Sequence, residues 1–170
     1  MYLGKCPMGP SVKFLVANIH TMDELKLTGN CMQGSRPLLN FDATFDSKAH
    51  WQVLKSLLAD AFGTPKGHPK SKPFLDRVMS FFVVKNNICM MLAIIDDFSV
   101  KCTLGIRNYQ IIDKSDRSDG KDTHLIEIGP RMVLIPIRIF SGTFAGATLY
   151  QNSAFVSPNQ ERSNMRKMKG

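Results

Sequence analysis

The chain has 170 residues, 44% of them hydrophobic and 21% charged, an ordinary globular composition that excludes wholesale disorder or a collagen-like chain. Its longest apolar run spans residues 88–95, far short of the ~20 residues that a membrane-spanning helix needs, and its first ten residues lack the apolar stretch of a secretory signal. Lysine and arginine number 22 against 14 aspartate and glutamate, a formal charge of +8, which suits a polyanionic partner, most simply nucleic acid.

The first element is a strand over residues 12–19, opened by Pro10 and Ser11 and alternating in hydrophobicity. Residues 21–26 suit a helical turn or a loop. Gly29, Gly34 and Pro37 then break the chain, and residues 38–41 read as the end of a short second strand. Trp51, Leu54, Leu57, Leu58, Ala61 and Phe62 recur at helical spacing and predict a helix near 47–62 with one apolar face. Asp46 or Ser47 can cap its start, and Gly63 with Pro65 marks its end. Residues 64–73 hold three prolines, so they form a basic loop. A strand follows up to Val84, then a turn at Lys85-Asn86-Asn87. Residues 107–112 read as a further strand and 113–123 as a polar loop. Residues 125–128 make another strand candidate before Gly129-Pro130-Arg131. Residues 132–140 are β-rich, but Pro136 demotes them to an edge strand or a bulged one. Beyond residue 156 the chain reads as a basic tail. The fold class is α+β, an antiparallel sheet with one packed helix.

Catalytic motifs are missing. No phosphate-binding glycine loop, zinc-protease helix or nucleophile elbow occurs. Asp96 and Asp97 are adjacent, so on a strand they would diverge, and His20 has no identifiable catalytic partner. Cys6, Cys31, Cys89 and Cys102 contain no C-x-x-C pair; reduced thiols in a nuclear or cytosolic protein are expected, with no metal and no cofactor. The basic residues are more informative. Residues 61–88 carry five basic side chains against one acidic, and residues 121–170 seven against three. Arg36 lies in Gly34-Ser35-Arg36-Pro37, and Lys66, Lys70 and Lys72 share the proline-stiffened loop. Arg107 precedes Asn108 and Tyr109, and Arg131 follows a Gly-Pro turn. Cations on stiff loops reach phosphates at little entropic cost, and a neighbouring Tyr or Asn can stack on or hydrogen-bond to unpaired bases. Arg138 on the last long strand and Arg166, Lys167 and Lys169 in the tail complete the RNA-binding candidates. No single one of them is diagnostic.

At these residues the sequence resembles the Brix-domain family of ribosome assembly factors. The resemblance runs in order through Gly9-Pro10-Ser11-Val12-Lys13-Phe14, Glu24-Leu25-Lys26-Leu27-Thr28-Gly29-Asn30, Gly34-Ser35-Arg36-Pro37, His68-Pro69-Lys70-Ser71, Arg107-Asn108-Tyr109-Gln110-Ile111 and Glu127-Ile128-Gly129-Pro130-Arg131. It implies a two-lobed domain whose lobes resemble the anticodon-binding domain of class II aminoacyl-tRNA synthetases. Residues 1–156 would be a partial Brix domain resembling its C-terminal lobe, with the first lobe largely missing, and 157–170 a basic tail. It further implies a nucleolar, non-enzymatic protein that binds precursor ribosomal RNA in large (60S) subunit assembly. Its partners would be that RNA and other assembly factors of pre-60S particles, with no membrane and no small-molecule substrate. The alternative is a truncated protein-interaction fragment that no longer binds RNA productively. One departure affects the fold. Residues 89–106 stand where the family has two residues, Trp-Phe. The apolar residues 89–95 are expected to replace that strand beside 78–84, with Asp96-Asp97 beginning an irregular detour back to Arg107.

Overall fold

The structure is a computed structural model that describes residues 1–25, 37–63, 76–85, 102–113 and 123–168. The described strands are β1 (Tyr2–Gly4), β2 (Ser11–His20), β3 (Leu38–Phe41), β4 (Arg77–Lys85), β5 (Cys102–Asp113), β6 (Thr123–Glu127), β7 (Arg131–Phe140) and β8 (Thr148–Gln151). The helices are α1 (Met22–Leu25), α2 (Ala49–Phe62) and α3 (Pro158–Met168), with a 3-10 turn at Ala43–Asp46. All eight strands join one sheet in the order β1-β2-β7-β5-β4-β3, with β6 beside β5 and β8 beside β7. Every pair is antiparallel except β3 and β4.

That parallel pair follows from α2. Two parallel neighbours need a crossover, and the 3-10 turn and α2 supply it. The crossover carries α2 over one face of the sheet, where Trp51, Leu54, Leu57 and Leu58 are buried. They meet Val12 and Phe14 of β2, Phe81 of β4, Leu104 and Ile106 of β5, and Leu134 and Ile139 of β7 in one core. Aromatic rings knit the crossover to the sheet. Phe41 stacks on Phe81 with centroids 4.8 Å apart, and Phe45 meets Trp51 edge-on at 5.6 Å; such pairs contribute ~0.5–1.5 kcal/mol each beyond area burial. The α+β class, the antiparallel sheet and the packed helix all stand as the sequence predicts.

Local details differ. Neither Asp46 nor Ser47 caps α2: the N-cap is Lys48, with no side-chain bond to the helix. Ser47 Oγ instead donates to the Thr44 carbonyl at 2.6 Å, closing the preceding turn, and Asp46 pairs with Lys55 at 2.7 Å. Short-range turn closure won over capping. Thr21 and Glu24 form a reciprocal capping box around α1, at 3.2 and 3.4 Å. Strand β7 is internal rather than an edge, and only the bulged reading holds. Its register with β2 shifts between the Phe14↔Pro136 and Lys13↔Arg138 pairs. Pro136 sits where β7's other neighbour changes from β5 to β8, so its missing N–H interrupts no ladder. Residues 158–168 of the basic tail are helical. Pro158 occupies the first turn, and Gln160 N–H donates to Ser157 Oγ at 3.3 Å.

The part of the expected detour that falls in residues 102–106 is regular strand instead, while Asp96 and Asp97 lie outside the described residues. Residues 102–106 pair directly with β4, from Lys85↔Cys102 to Phe81↔Ile106, and run without interruption into Arg107 and Tyr109. They, not 89–95, fill the place beside 81–85; residues 86–101 lie outside the described residues. The reason is continuity. Leu104 and Ile106 continue the alternation of the following strand and put two large side chains into the core, both 2% exposed or less, without any break in the backbone ladder. Leu104→Ala should therefore cost ~2–5 kcal/mol in urea denaturation, as a fully buried leucine does. A cost typical of a surface site, within ~0.5 kcal/mol, would show that residues 102–106 do not form this strand.

Candidate nucleic-acid interface

Residues between the core positions point to the sheet's other face. On β5 these are Gly105, Arg107 and Tyr109, on β4 Phe82, on β7 Arg131 and Arg138, on β2 Lys13 and His20, and on β6 Glu127, as the pairings require. Two basic clusters result.

The first is organised by a buried side chain. Asn108 is 3% exposed; its side-chain Nδ2 donates to the Gly129 carbonyl at 3.1 Å, and its backbone carbonyl accepts from Ile128 N–H at 3.0 Å. It thereby pins the Gly129-Pro130 turn, where Gly129 has φ 67, a conformation that a side chain would strain. Asn108 is thus unavailable to bases, contrary to the expectation from sequence. The turn delivers Arg131 back onto the strand it has just left. Arg131 Nε donates to Glu127 Oε1 and its Nη2 to Oε2, both at 2.8 Å, a bidentate charge-assisted pair. Arg107 Nη1 lies 4.0 Å from the same Oε2, and Tyr109 stands directly opposite Glu127 across β5 and β6. The Glu127 side chain is 16% exposed, those of Arg107 and Arg131 42% and 36%. Hydrogen bonds from Arg131 hold the Glu127 carboxyl below the ordinary glutamate range; burial opposes this, and the charges of Arg131 and Arg107 add to it. The same hydrogen bonds, then the Glu127 charge, raise Arg131.

Arg107 has a second support. Its guanidinium lies 5.7 Å over the Phe82 ring, a cation–π contact. Phe82 in turn lies against Gly105, where an added Cβ would come within 2.3 Å of the ring. Glycine there lets the ring lie flat on the strand.

The second cluster lies seven positions along β7, roughly 20–23 Å away at ~3.3 Å per residue. Arg138 faces Lys13 across β2, donates to Gln151 Oε1 at 3.1 Å and lies over Phe140 at 5.9 Å. Lys13 in turn lies over Tyr2 at 5.6 Å. Between the clusters, Leu15 and Ile135 pair across β2 and β7 and line a small cavity with Ala154, Phe155 and Val156, so an apolar strip divides them. Arg166 and Lys167 sit in the exposed last turn of α3, where they also suit the helix dipole. Arg36, Lys66, Lys70, Lys72 and Lys169 lie outside the described residues. Sequence reasoning did not single out Phe82, Gly105, Lys13 or Glu127. A signal existed for the last: opposite charges four apart across a Gly-Pro turn. His20 faces Arg131 in register and contacts Asn18 at 3.1 Å and Glu24 at 3.3 Å. Among the described residues no cluster could hold a metal ion, and no helix is long and apolar enough to cross a membrane.

Two measurements check this geometry. Gly105→Ala must displace the Phe82 ring, and overpacking of this kind costs ~1–3 kcal/mol; an unchanged denaturation midpoint would show that the ring lies elsewhere. The depressed Glu127 carboxyl contributes stability that is fully present above the ordinary value of 4.5 and is lost as the pH falls through its lower folded value. Carbon-detected NMR should place its midpoint below 4.5, and a midpoint at or above that value would mean that the pair does not form in solution.

The Brix domain family profile matches residues 1–138. The ribosome biogenesis protein BRX1 homolog of Dictyostelium discoideum is 47% identical over 164 residues, covering 96% of this chain and 44% of that protein. BRX1 homolog 1 of Arabidopsis thaliana is 48% identical over 169 residues, with 96% of this chain and 49% of that protein covered. The Homo sapiens BRX1 homolog is 48% identical over 166 residues, with 98% and 40% covered. The chain therefore spans less than half the length of each of these relatives. With a family profile over most of its length and nearly half its residues shared with such distant organisms, the chain belongs to the Brix-domain family.

Proposed function

We propose that the chain takes part in ribosome biogenesis as a non-enzymatic RNA-binding segment, acting in the nucleolus on precursor ribosomal RNA of the large (60S) subunit. The observation that carries this reading is its 47–48% identity to proteins named for ribosome biogenesis. The geometry supports it. Arg107 and Tyr109 share one sheet face with Arg131, and Arg138 with Lys13 continues that face. Phosphates would be met by Arg138 and the flanking cations Arg36, Lys66, Lys70, Lys72, Arg166, Lys167 and Lys169, and unpaired bases by Tyr109 with Arg107 and Arg131 beside it. Residues 1–156 would form the Brix-domain segment and 157–170 a basic extension carrying part of the phosphate contact. The segment would hold a stretch of RNA in place while neighbouring assembly proteins of the pre-60S particle dock, with no bond made or broken and no cofactor.

A second reading is favoured by one observation. Leu125 and Ile126 of β6 are 55% and 37% exposed, on opposite faces of a strand that pairs only with β5 among the described residues. An exposed apolar edge of this kind suits a protein partner, so that the chain would be an interaction module without productive RNA binding.

Salt titration of binding to a labelled precursor-rRNA fragment separates the two. Replacing Lys66, Lys70 and Lys72 together with Ala should lower the magnitude of the log–log salt slope by about 2–3, since each phosphate contact contributes ~0.7–0.9, and should weaken binding to all sequences alike. A slope that stays unchanged removes that loop from the interface. Undetectable binding of the unmodified chain at low salt leaves the protein-interaction reading.

A further inference from the structure

We infer that Glu127 is a specificity-determining residue that turns the Arg107–Tyr109–Arg131 cluster away from bare phosphate and towards unpaired bases. The inference rests on the RNA-binding reading and deepens it by naming what this cluster recognises.

Three observations combine. Both oxygens of Glu127 accept from Arg131 at 2.8 Å, through Nε and Nη2. A phosphate that claimed this edge of the guanidinium would have to displace a bidentate carboxylate already in place. Arg107 stands 4.0 Å from Oε2, so the two arginines share one negative charge and the trio presents +1 instead of +2. The carboxylate also sits at the centre of the cluster, where it repels a phosphodiester approaching either arginine. Polyanions of any sequence should therefore find a weak site here, unlike the lysine-rich loop.

What remains open on this face is planar. Tyr109, half-buried, stands opposite Glu127 on the same face, and the guanidinium of Arg131, whose side chain is 36% exposed, is fixed in orientation by its two hydrogen bonds. Both are surfaces on which an unpaired base can stack, and a guanidinium already fixed by a carboxylate loses little entropy in doing so. Each carboxylate oxygen also keeps a second lone pair, able to accept from a base amino or imino group. Phosphate offers neither an aromatic face nor a donor. The cluster thus suits single-stranded RNA with its bases exposed, and it disfavours duplexes, whose outer surface is phosphate and sugar.

The test is a mutant cycle read on two ligands, inorganic polyphosphate and a single-stranded RNA with its matched duplex. Glu127→Gln should bind polyphosphate several-fold more tightly at low salt and steepen its salt slope by about 0.7–0.9, one contact released. It should also narrow the wild-type preference for single strand over duplex. Removing any negative charge helps a polyanion somewhat, so the decisive step repeats Glu127→Gln in an Arg131→Gln background, where the gain should largely vanish because the released cation is gone. An equal gain in both backgrounds, or none in either, overturns the inference. Glu127→Asp keeps the charge and should behave as wild type, which guards against a fold lost through the glutamine. The RNA arm of the unmodified chain reports separately on the broader reading. A chain that ignores RNA while Glu127→Gln still gains on polyphosphate would refute RNA binding and leave the phosphate gate standing.

Discussion

The period of two along β5 is the constraint on which the rest of the molecule depends. This strand pairs with β4, β6 and β7, so its register sets that of half the sheet. Leu104, Ile106 and Asn108 face inwards, and Gly105, Arg107 and Tyr109 face outwards. A slip of one residue would exchange the two sets, burying a guanidinium and a phenol beneath α2 while exposing two core residues. The costs of the alternative are all large. Burying Arg107 unpaired would cost several kcal/mol, and exposing Leu104 and Ile106 would forfeit ~1.5–3 kcal/mol each. The outer face owes its composition to that core.

Asn108 shows how the two faces are coupled. It is the inward residue between Arg107 and Tyr109, yet it is polar, and its buried amide finds a partner in the Gly129 carbonyl. A buried amide without such a bond would cost ~1–3 kcal/mol, so the pairing fixes the β6–β7 turn from beneath. Glu127 and Arg131, on either side of that turn, then meet above it. An interior hydrogen bond thereby sets the geometry of an exterior ion pair, which is why three consecutive residues of β5 can serve structure and surface at once.

Much of this was legible in the sequence, and the reasons for the remainder are physical. Trp51, Leu54, Leu57 and Leu58 announce α2 because helical periodicity is local. The bulge at Pro136 is legible because a missing N–H is a local fact. The parallel pairing of β3 with β4 is a consequence of where α2 packs, and no window of residues records it. The sequence favours 89–95 for the strand because that run is the more apolar, whereas it is 102–106 that pair with β4 and continue into Arg107. Hydrophobicity measures the wish to be buried, whereas alternation with the following residues decides which segment continues the strand. The helix at 158–168 had its signal in Ser157-Pro158-Asn159-Gln160, hidden by the polar residues that follow, since the helical residues 162–168 are all exposed and carry no periodic stripe.

Charge counting from sequence treats each arginine as one unit of attraction, and the structure shows where that fails. Arg107, Arg131 and Arg138 count equally in a total of +8, yet each is differently committed. Arg138 has a neutral amide and an aromatic ring beside it, so its charge is undiminished and Lys13 adds to it. Arg131 has a carboxylate at 2.8 Å on two nitrogens, so its field is largely cancelled beyond a few ångströms. Arg107 is intermediate, sharing that carboxylate at 4.0 Å while resting on Phe82. Screening sharpens these differences, because at physiological ionic strength the Debye length is about 8 Å, shorter than the ~20 Å between the clusters. The two ends of the sheet are therefore electrostatically independent, one a concentration of positive charge and the other largely neutralised. On the proposed RNA-binding reading, phosphates would be met at Arg138 and bases near Arg131, with the apolar Leu15 and Ile135 of the same face lying between the two ends.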